Sequence, residues 1–277
     1  MGQRHILCIG AHPDDNEFSV GGTAALLRKR GDSVHFVSVT NGDRGHYYPE
    51  YIQNPTLLAE RRLHEARKAA ATIGATYETL GVRDGEVYVD KATTENMIRC
   101  IRRCGEPGKG PDLVLFNRPQ DYHRDHRYAS QLVLDATYML TVPTMCPEVR
   151  HLDRMPVFAY WFDSFSEVTP FKPDIVVATD SVIELKADML DAHVSQVYEW
   201  LPYNAERLDQ IPPSDQPEAR RAGLAEALRG REAQRLAHVR EALERQGGGE
   251  GVQYVEAFQV CQYGTVPDEA TLRALFP

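Results

Sequence analysis

Two short stretches of the chain carry more ionisable groups than a loop needs. The first, AHPDDNE at residues 11–17, holds a histidine, two adjacent aspartates and a glutamate. The second, HRDH at residues 123–126, holds two histidines three residues apart with an aspartate between them. Two histidines and one aspartate are a plausible facial set of zinc ligands that leaves a coordination position for water. Other divalent metals fit the same mixed nitrogen and oxygen donors.

The first stretch, taken alone, has a simpler interpretation. Asp14 or Asp15 could serve only as the N-cap of a following helix, a common position for aspartate. Capping uses one carboxylate and leaves His12 and Glu17 unexplained. Because Asp14 and Asp15 are sequence neighbours, they cannot share one environment. One could face a metal ion while the other faces the water held by that ion.

The segments around both stretches predict a parallel α/β sheet. Apolar runs at 5–11 and 33–40 flank a helical segment that ends on a glycine, which is typical of a strand, helix, strand unit. Residues 57–73 and 95–104 predict further helices, and 111–119 predicts a third strand. Such alternation favours a Rossmann-like, mostly parallel sheet with helices on both faces. Functional groups of such sheets gather beyond the carboxyl ends of the strands, so both stretches should open onto one edge.

The second half of the sequence continues this pattern and adds a helical segment. Strands are predicted at 156–164, 174–180 and 252–264, and a helix at 182–198. Residues 204–247 are rich in Arg, Glu and Ala and predict a surface helix or helical hairpin that carries little chemistry. No repeat or linker interrupts the chain. We therefore expect a single domain over residues 1–277, with 204–247 as a C-terminal helical insertion.

Composition argues against several classes of partner. The 277 residues carry a formal net charge of −9 at pH 7, which gives no global attraction to nucleic acid or anionic membranes. No stretch approaches the roughly 20 apolar residues that span a bilayer, and no secretory signal is evident. The five cysteines are too scattered for a disulfide framework. We expect a cytoplasmic protein with reduced thiols and no nucleic-acid or membrane partner.

The two stretches together resemble the LmbE-like, or PIG-L, family of zinc-dependent N-deacetylases. The hallmark of that family is A-H-P-D-D-x-E followed at a distance by H-x-D-H. Further agreement follows in chain order, with GGT at 21–23, TNGDRG at 40–45, RLHEARKAAATIG at 62–74 and KADMLDAHVSQ at 186–196. The resemblance spans roughly residues 5–200 and implies an LmbE-like fold.

The resemblance implies a metal site and a general base. His12, Asp15 and His126 are similar to the three metal ligands of the family, and Asp14 is similar to its general base, which acts on a water at the metal. The chemistry agrees, because a metal can lower the pKa of a bound water from about 15.7 to near 7. Asp14, beside a ligand, could take the remaining proton.

A second group of residues is expected to act on the substrate. His123 is similar to the family histidine that, when protonated, stabilises the oxyanion and supplies a proton to the departing amine. The resemblance implies that Asp125 orients His123. Arg62 matches a position associated with substrate binding, and His193 matches a further position that we assign to substrate.

The loop after the second strand is the expected substrate loop. Residues 41–55 are polar, aromatic and glycine-rich. Asn41 and Tyr47 are the candidate contacts, with Tyr47 stacking on a sugar face. A plain connecting loop is the alternative.

The resemblance implies a Zn²⁺-dependent hydrolase that removes an N-acetyl group from a GlcNAc-containing small molecule. It also implies a small amide or N-acetyl sugar as the substrate, and further copies of the chain as partners in a homo-oligomer. The runner-up is an amidase of the same family that cleaves a larger amide, such as a thiol conjugate. A nucleotide-binding module is less consistent, because the G-x-G-x-x-G spacing is missing. A non-catalytic metal protein is less consistent, because a closed structural site would not need Asp14 and His123 beside three ligands. The exact substrate, the native metal and the role of Glu17 stay open.

Overall fold

Seven apolar segments form one sheet in the computed structural model, which describes residues 2–277. The strands are β1 (His5–Gly10), β2 (Ser33–Thr40), β3 (Thr76–Val82), β4 (Leu113–Phe116), β5 (Val157–Trp161), β6 (Ile175–Ala178) and β7 (Val255–Cys261). Their order is β3-β2-β1-β4-β5-β7-β6. Strands β1 to β5 pair in parallel, whereas β7 is antiparallel to β5 and β6. The predicted mostly parallel α/β sheet is confirmed.

Helices cover both faces of the sheet. They are α1 (Asp15–Arg30), α2 (Pro49–Gln53), α3 (Pro55–Thr72), α4 (Lys91–Arg103), α5 (Arg124–Met139), α6 (Ile183–Asp191), α7 (Leu201–Asn204), α8 (Pro217–Arg245) and α9 (Glu269–Leu275). Successive residues of β1 point to opposite faces. Ile6 and Cys8 pack with α1 and α3, whereas Leu7 and Ile9 pack with α4 and α5. The side chains of β1 therefore contribute to the hydrophobic core on each face of the sheet.

The chain reverses direction across the sheet between β1 and β4. It runs outward from β1 through β2 to β3 and then returns to β4 on the other side of β1. The loops after β1 and β4 consequently diverge around a crevice at the carboxyl edge, the usual ligand position in open α/β sheets. Residues 11–17 follow β1, and residues 123–126 follow β4 at the start of α5.

Strand β3 lies at the edge of the sheet and does not appear among the predicted strands. Only Tyr77 of its seven residues is buried, and β3 pairs on one side only, with β2. The strand expected to be third in the chain, at 111–119, contains β4 and is the fourth. The helix expected at 182–198 is also divided: α6 ends at Asp191, and a π-helical turn follows at Ser195–Trp200.

The segment 204–247 contains one long helix, α8, which is 29 residues long. Its apolar residues Leu236 and Val239 pack against β6 and β7, and Leu228 packs against α6. Among the described residues, no helix combines the length and the apolar character that crossing a bilayer requires. The apolar side of α8 is instead used to cover the sheet.

A buried ionic cluster also fixes α8. Lys186 Nζ lies 2.9 Å from Glu232 Oε1 and 2.6 Å from Glu256 Oε1, and all three side chains are fully buried. Glu256 also accepts hydrogen bonds from the backbone N–H groups of Gly22 and Thr23, at 2.9 and 2.7 Å. The cluster therefore joins α8 to α6, β7 and the middle of α1.

Candidate metal and catalytic site

A sharp turn at the end of β1 presents the first motif. Asp14 adopts φ 126° and ψ −23°, a backbone conformation that is strained for a residue with a side chain. Asp14 is the N-cap residue of α1, yet within residues 2–277 its side chain makes no capping hydrogen bond. The interpretation of this carboxylate as a simple helix cap is therefore not supported.

Asp15 is held tightly against the end of β1. Its Oδ2 accepts hydrogen bonds from the backbone N–H groups of Ala11 and His12, both at 2.8 Å. A Cβ atom at Gly10 would lie 2.6 Å from the Cβ atom of Asp15, so glycine is required for this approach. Burial raises the pKa of Asp15, but His126, His12 and these N–H groups together lower it. The carboxylate is therefore ionised and fixed in place.

The three residues expected to bind metal converge on one point. His12 Nδ1 and His126 Nε2 lie 3.2 Å apart. The Asp15 carboxylate lies 3.7 Å from His12 Nδ1 and 3.5 Å from His126 Nε2. A tetrahedral zinc ion with bonds of about 2.0–2.1 Å separates its ligand atoms by about 3.3 Å. This ligand triangle of His12, Asp15 and His126 thus has the size that such an ion requires.

The outer nitrogens of both imidazoles face carboxylates. His126 Nδ1 lies 3.1 Å from Asp121 Oδ2. His12 Nε2 lies 3.2 Å from Asp84 Oδ1 and 3.5 Å from Asp125 Oδ2. These contacts favour a proton on each outer nitrogen, so the inner nitrogens present lone pairs to each other. Two lone pairs and a carboxylate at this separation repel one another unless a cation lies between them. Histidines backed by carboxylates are the usual arrangement at metal sites.

Other donor groups lie close enough to compete for an ion. The donor atoms of His12, His123 and His126 lie within 4.8 Å of one another, as do those of His12, Asp84 and Asp125. Burial lowers the pKa of His12, but hydrogen bonding to Asp125 and Asp84 and the charges of Asp15 and Asp84 raise it to about 10. An imidazole among these carboxylates favours a bound positive charge, which either a proton or a metal ion supplies.

Asp14 lies beside the ligand triangle and is supported by Arg62. Asp14 Oδ2 is 3.5 Å from Arg62 Nη2. The guanidinium also donates hydrogen bonds to the backbone carbonyls of Pro13 and Gly42, at 2.7 and 3.2 Å. Burial raises the pKa of Asp14 to about 6, although Arg62 opposes the shift. A carboxylate with a pKa near neutral suits a general base. Arg62 also lines the cavity described below, so its contact with substrate stays a prediction.

His123 is the N-cap residue of α5, and its ring orientation is set by the backbone. Its Nδ1 accepts a hydrogen bond from the N–H group of Asp125 at 3.2 Å. The neutral imidazole therefore carries its proton on Nε2. Burial and the neighbouring His12 and His126 lower the pKa of His123. This shift disfavours the protonated form that the resemblance implies, but the neutral Nε2–H group can still donate a hydrogen bond.

The position of Asp125 corrects one expectation. Its side-chain oxygens accept hydrogen bonds from the N–H groups of Gly85 and Val87, at 2.5 and 3.3 Å. One oxygen also faces His12 Nε2. The Asp125 carboxylate therefore orients His12 instead of His123, because the start of α5 turns this side chain inward toward the loop after β3.

A cavity of about 760 Å³ opens beside the ligand triangle, a size typical of small-molecule sites. Its wall includes His12, Asp14, Asp15, His123 and His126. The aromatic residues Tyr122, Trp161, Phe162, Phe165 and Trp200 also line it, as do Arg231, Gln234, Arg235 and His238 of α8. The segment 204–247 was expected to form a surface helix, and its helix α8 in addition forms part of the cavity wall.

Three expected substrate contacts lie elsewhere. His193 is fully buried, with Nε2 3.3 Å from Glu17 Oε1, and this pair packs beneath the turn that carries Asp14. Asn41 accepts a hydrogen bond from the N–H group of Asp43 at 3.2 Å and so shapes its own loop. The ring of Tyr47 stacks on Tyr203 with centroids 4.0 Å apart. None of the three is among the described residues that line the cavity. Arg44 and Gly45 line it from that loop instead.

Two supporting carboxylates escaped the sequence analysis. Asp84 follows β3, and its position after a parallel strand would have marked it had that strand been recognised. Asp121 precedes the second motif after β4, at the same edge. Arg231 carries no comparable sequence signal, because it is one of many charged residues on α8.

The fold and the site together define an α/β protein in which the side chains of His12, Asp15 and His126 meet at the switch point of a mostly parallel sheet. Residues 7–137 match the family model described as PIG-L: GlcNAc-PI de-N-acetylase. This match agrees with the resemblance that the two motifs carry.

The chain is similar to relatives of two reaction types. Diacetylchitobiose deacetylase of Thermococcus kodakarensis is 28% identical over 211 residues, which cover 72% of this chain and 74% of the relative. A probable N-acetyl-alpha-D-glucosaminyl L-malate deacetylase of Bacillus anthracis is 27% identical over 199 residues, or 70% and 82% of the two chains. The 4-oxalmesaconate hydratase of Pseudomonas putida is 25% identical over 202 residues, or 72% and 76%.

Solved structures share the fold over nearly the whole chain. N,N'-diacetylchitobiose deacetylase from Pyrococcus horikoshii superposes with a TM-score of 0.69 at 22% identity, covering 96% of this chain and 88% of that chain. The 4-carboxy-2-hydroxymuconate hydratase from Pseudomonas putida gives a TM-score of 0.71 at 20% identity, covering 96% and 99%. These likenesses establish the architecture, which deacetylases and a hydratase share.

Proposed function

We propose that this chain is a divalent-metal-dependent hydrolase that removes the acetyl group from an N-acetylglucosamine-containing small molecule. The observation that carries the proposal is the ligand triangle with Asp14 beside it. The deacetylases among the relatives support an acetamide as the bond that is cleaved. Zinc is the proposed metal, since two imidazoles and one carboxylate with an open position are typical of catalytic zinc sites.

The residues of the chain divide the chemistry between them. A divalent ion held by His12, Asp15 and His126 would lower the pKa of a coordinated water and polarise an amide carbonyl. Asp14, steadied by Arg62, accepts a proton from the attacking water. His123 donates a hydrogen bond through its Nε2–H group to the carbonyl oxygen as that oxygen gains negative charge.

The amine must also leave. An amine is a poor leaving group until its nitrogen is protonated, so the site needs an acid as well as a base. Asp14 becomes that acid once it has taken a proton from water, and its raised pKa helps it to hold this proton. His123, on the cavity wall, stays neutral in this step, because its lowered pKa disfavours the protonated form that could deliver a proton.

A hydratase is the second candidate function. Both a relative at 25% identity and a solved structure with a TM-score of 0.71 carry that activity in their names. A metal site with a neighbouring base can add water to a carbon–carbon double bond as well as to an amide. The ligand triangle alone does not separate these reactions.

The test is a parallel assay on metal-loaded protein, with chelator-treated protein as the control. Release of free amine is measured from methyl N-acetylglucosaminide, from N,N'-diacetylchitobiose and from an N-acyl analogue with a longer chain. Loss of ultraviolet absorbance of 4-oxalmesaconate reports hydration in the same preparation. We expect metal-dependent amine release from an acetylated sugar. Turnover only of the longer amide would favour the amidase, and hydration without amine release would overturn the proposal in favour of the hydratase.

A further inference from the structure

One side of the cavity is formed by a single face of α8. Arg231, Gln234, Arg235 and His238 all line the cavity. Their spacing of three and four residues places them on one side of a helix. Whatever occupies the cavity beside the ligand triangle therefore meets a wall that carries positive charge.

Arg231 differs from the other arginines of the wall. Arg44 and Arg235 are paired with glutamates, and Arg62 is bound to backbone carbonyls. Arg231 has no hydrogen bond and no ion pair within residues 2–277. Its guanidinium carbon lies 4.9 Å from the centroid of the Phe18 ring. Five N–H donors of this side chain are thus available to a ligand.

The guanidinium of Arg231 lies close enough to Asp14 and Asp15 for their charges to affect its pKa. Arg231 lines the cavity and remains open to solvent. The surrounding cavity atoms and then Arg235 lower its pKa, while the charges of Glu232, Asp15 and Asp14 raise it. A guanidinium that is partly removed from water and lacks a partner is costly, and an oxyanion that accepts two parallel hydrogen bonds offsets that cost.

We propose that Arg231 binds an anionic group of the substrate, so that this protein prefers N-acetylglucosamine derivatives bearing a carboxylate or a phosphate over neutral ones. This inference rests on the proposed function for the identity of the sugar. Phe18, on the first turn of α1, lies against the guanidinium with its ring and takes up none of the N–H donors. The specificity of the site is therefore assigned to α8, and its chemistry to the loops after β1 and β4.

The test compares three ligands that share one sugar. They are methyl N-acetylglucosaminide, the carboxymethyl glycoside of the same anomer and N-acetylglucosamine 1-phosphate. Binding is measured by titration calorimetry on metal-loaded Asp14→Asn protein, in which turnover is blocked. Arg231→Gln is introduced into this parent, and Arg240→Gln is the matched control. Arg240 is an exposed arginine of α8 that does not line the cavity.

We expect Arg231→Gln to raise the Kd of the carboxylate or phosphate ligand about 10- to 100-fold, the range for a charge-assisted bidentate contact. The Kd of the methyl glycoside should change by less than about twofold, and Arg231→Lys should recover part of the loss. Selective loss for one anionic ligand identifies the carboxylate or the phosphate as the group bound. Equal weakening of all three ligands, or no preference of the parent for an anionic ligand, would overturn the inference.

The same ligands separate this inference from the proposed function. Tight, Arg231-dependent binding of an anionic glycoside without amine release from wild-type protein would refute the hydrolase and leave the inference standing. Amine release at equal KM from neutral and anionic glycosides, unchanged by Arg231→Gln, would refute the inference alone. A melting temperature of Arg231→Gln close to that of Arg240→Gln checks that the helix remains folded.

Discussion

Asp121 offers a sharp test of the ligand triangle because both of its oxygens are used. Oδ1 accepts a hydrogen bond from the N–H group of His123 at 2.8 Å, and Oδ2 faces His126 Nδ1 at 3.1 Å. Asparagine has only one side-chain oxygen. In Asp121→Asn, the amide oxygen can still accept the hydrogen bond from the N–H group of His123. The NH₂ group of the amide then faces His126 Nδ1. That nitrogen then acts as an acceptor, and the imidazole proton moves to Nε2, the nitrogen that should hold the metal.

The expected effect is a 10- to 100-fold loss of zinc affinity, the usual result of removing a carboxylate behind a metal-binding histidine. This corresponds to about 1.4–2.7 kcal/mol. Zinc affinity is measured by competition with a chromophoric chelator at fixed pH. Asp135→Asn, at an exposed position of α5, controls for the loss of one negative charge. An Asp121→Asn protein that keeps the zinc affinity of the control within about twofold would refute the assignment of His126 Nε2 as a ligand atom.

Three further substitutions probe separate parts of the argument. Asp14→Asn should keep bound zinc, measured by atomic absorption, but lose about 10²- to 10⁴-fold in kcat, because a base is removed and no ligand is lost. Gly10→Ala should lower zinc affinity with little change in circular dichroism, since its Cβ would lie 2.6 Å from the Cβ atom of Asp15. Lys186→Met should lower the free energy of unfolding in urea by about 3 kcal/mol, because Glu256 would stay buried without its hydrogen-bonded counter-charge while Glu232 keeps only Arg235.

Each of these expectations has a clear contrary result. An Asp14→Asn protein without zinc would make Asp14 a ligand and reverse the division of roles with Asp15. Wild-type zinc affinity in Gly10→Ala would mean that the Asp15 carboxylate does not need its present position. A change below about 1 kcal/mol in Lys186→Met, equal to that of the exposed control Lys109→Met, would show that the buried cluster does not hold α8 in place.

The sequence sufficed for the elements that bury the first motif. A continuous apolar run predicts β1, and the change from apolar to ionisable residues at its end marks the edge of the sheet. The same reasoning applies to β4 and the second motif. It succeeds because a parallel strand buried on both faces leaves a strong apolar signal and places its following loop at a known edge.

The side-chain partners were less predictable. Asp125 stands between two histidines in the sequence, yet its carboxylate supports His12, which is more than a hundred residues away. His193 lies in a segment that matches the family, but its side chain packs against Glu17 beneath the site. Sequence spacing fixes which residues share an edge of the sheet. It does not fix which way each side chain turns, because neighbouring elements decide that orientation.

The edge strand and the long helix show a different limit. Strand β3 pairs on one side only and lacks a continuous apolar run, so the carboxylate of Asp84 that follows it was missed. Helix α8 is rich in Arg and Glu, a composition that is equally typical of a solvated helix. Its place beside the cavity depends on a cluster formed with Lys186 and Glu256, which no local pattern reveals.

The arrangement of α8 affects how the substrate specificity of such a protein can evolve. The residues that anchor the helix, Glu232 and Leu236 among them, occupy a different side from Arg231 and His238, which face the cavity. Substitutions of Arg231 or His238 leave these anchors in place and do not touch the loops after β1 and β4. New substrates can therefore be acquired through a few changes on one helix while the reactive centre is inherited intact.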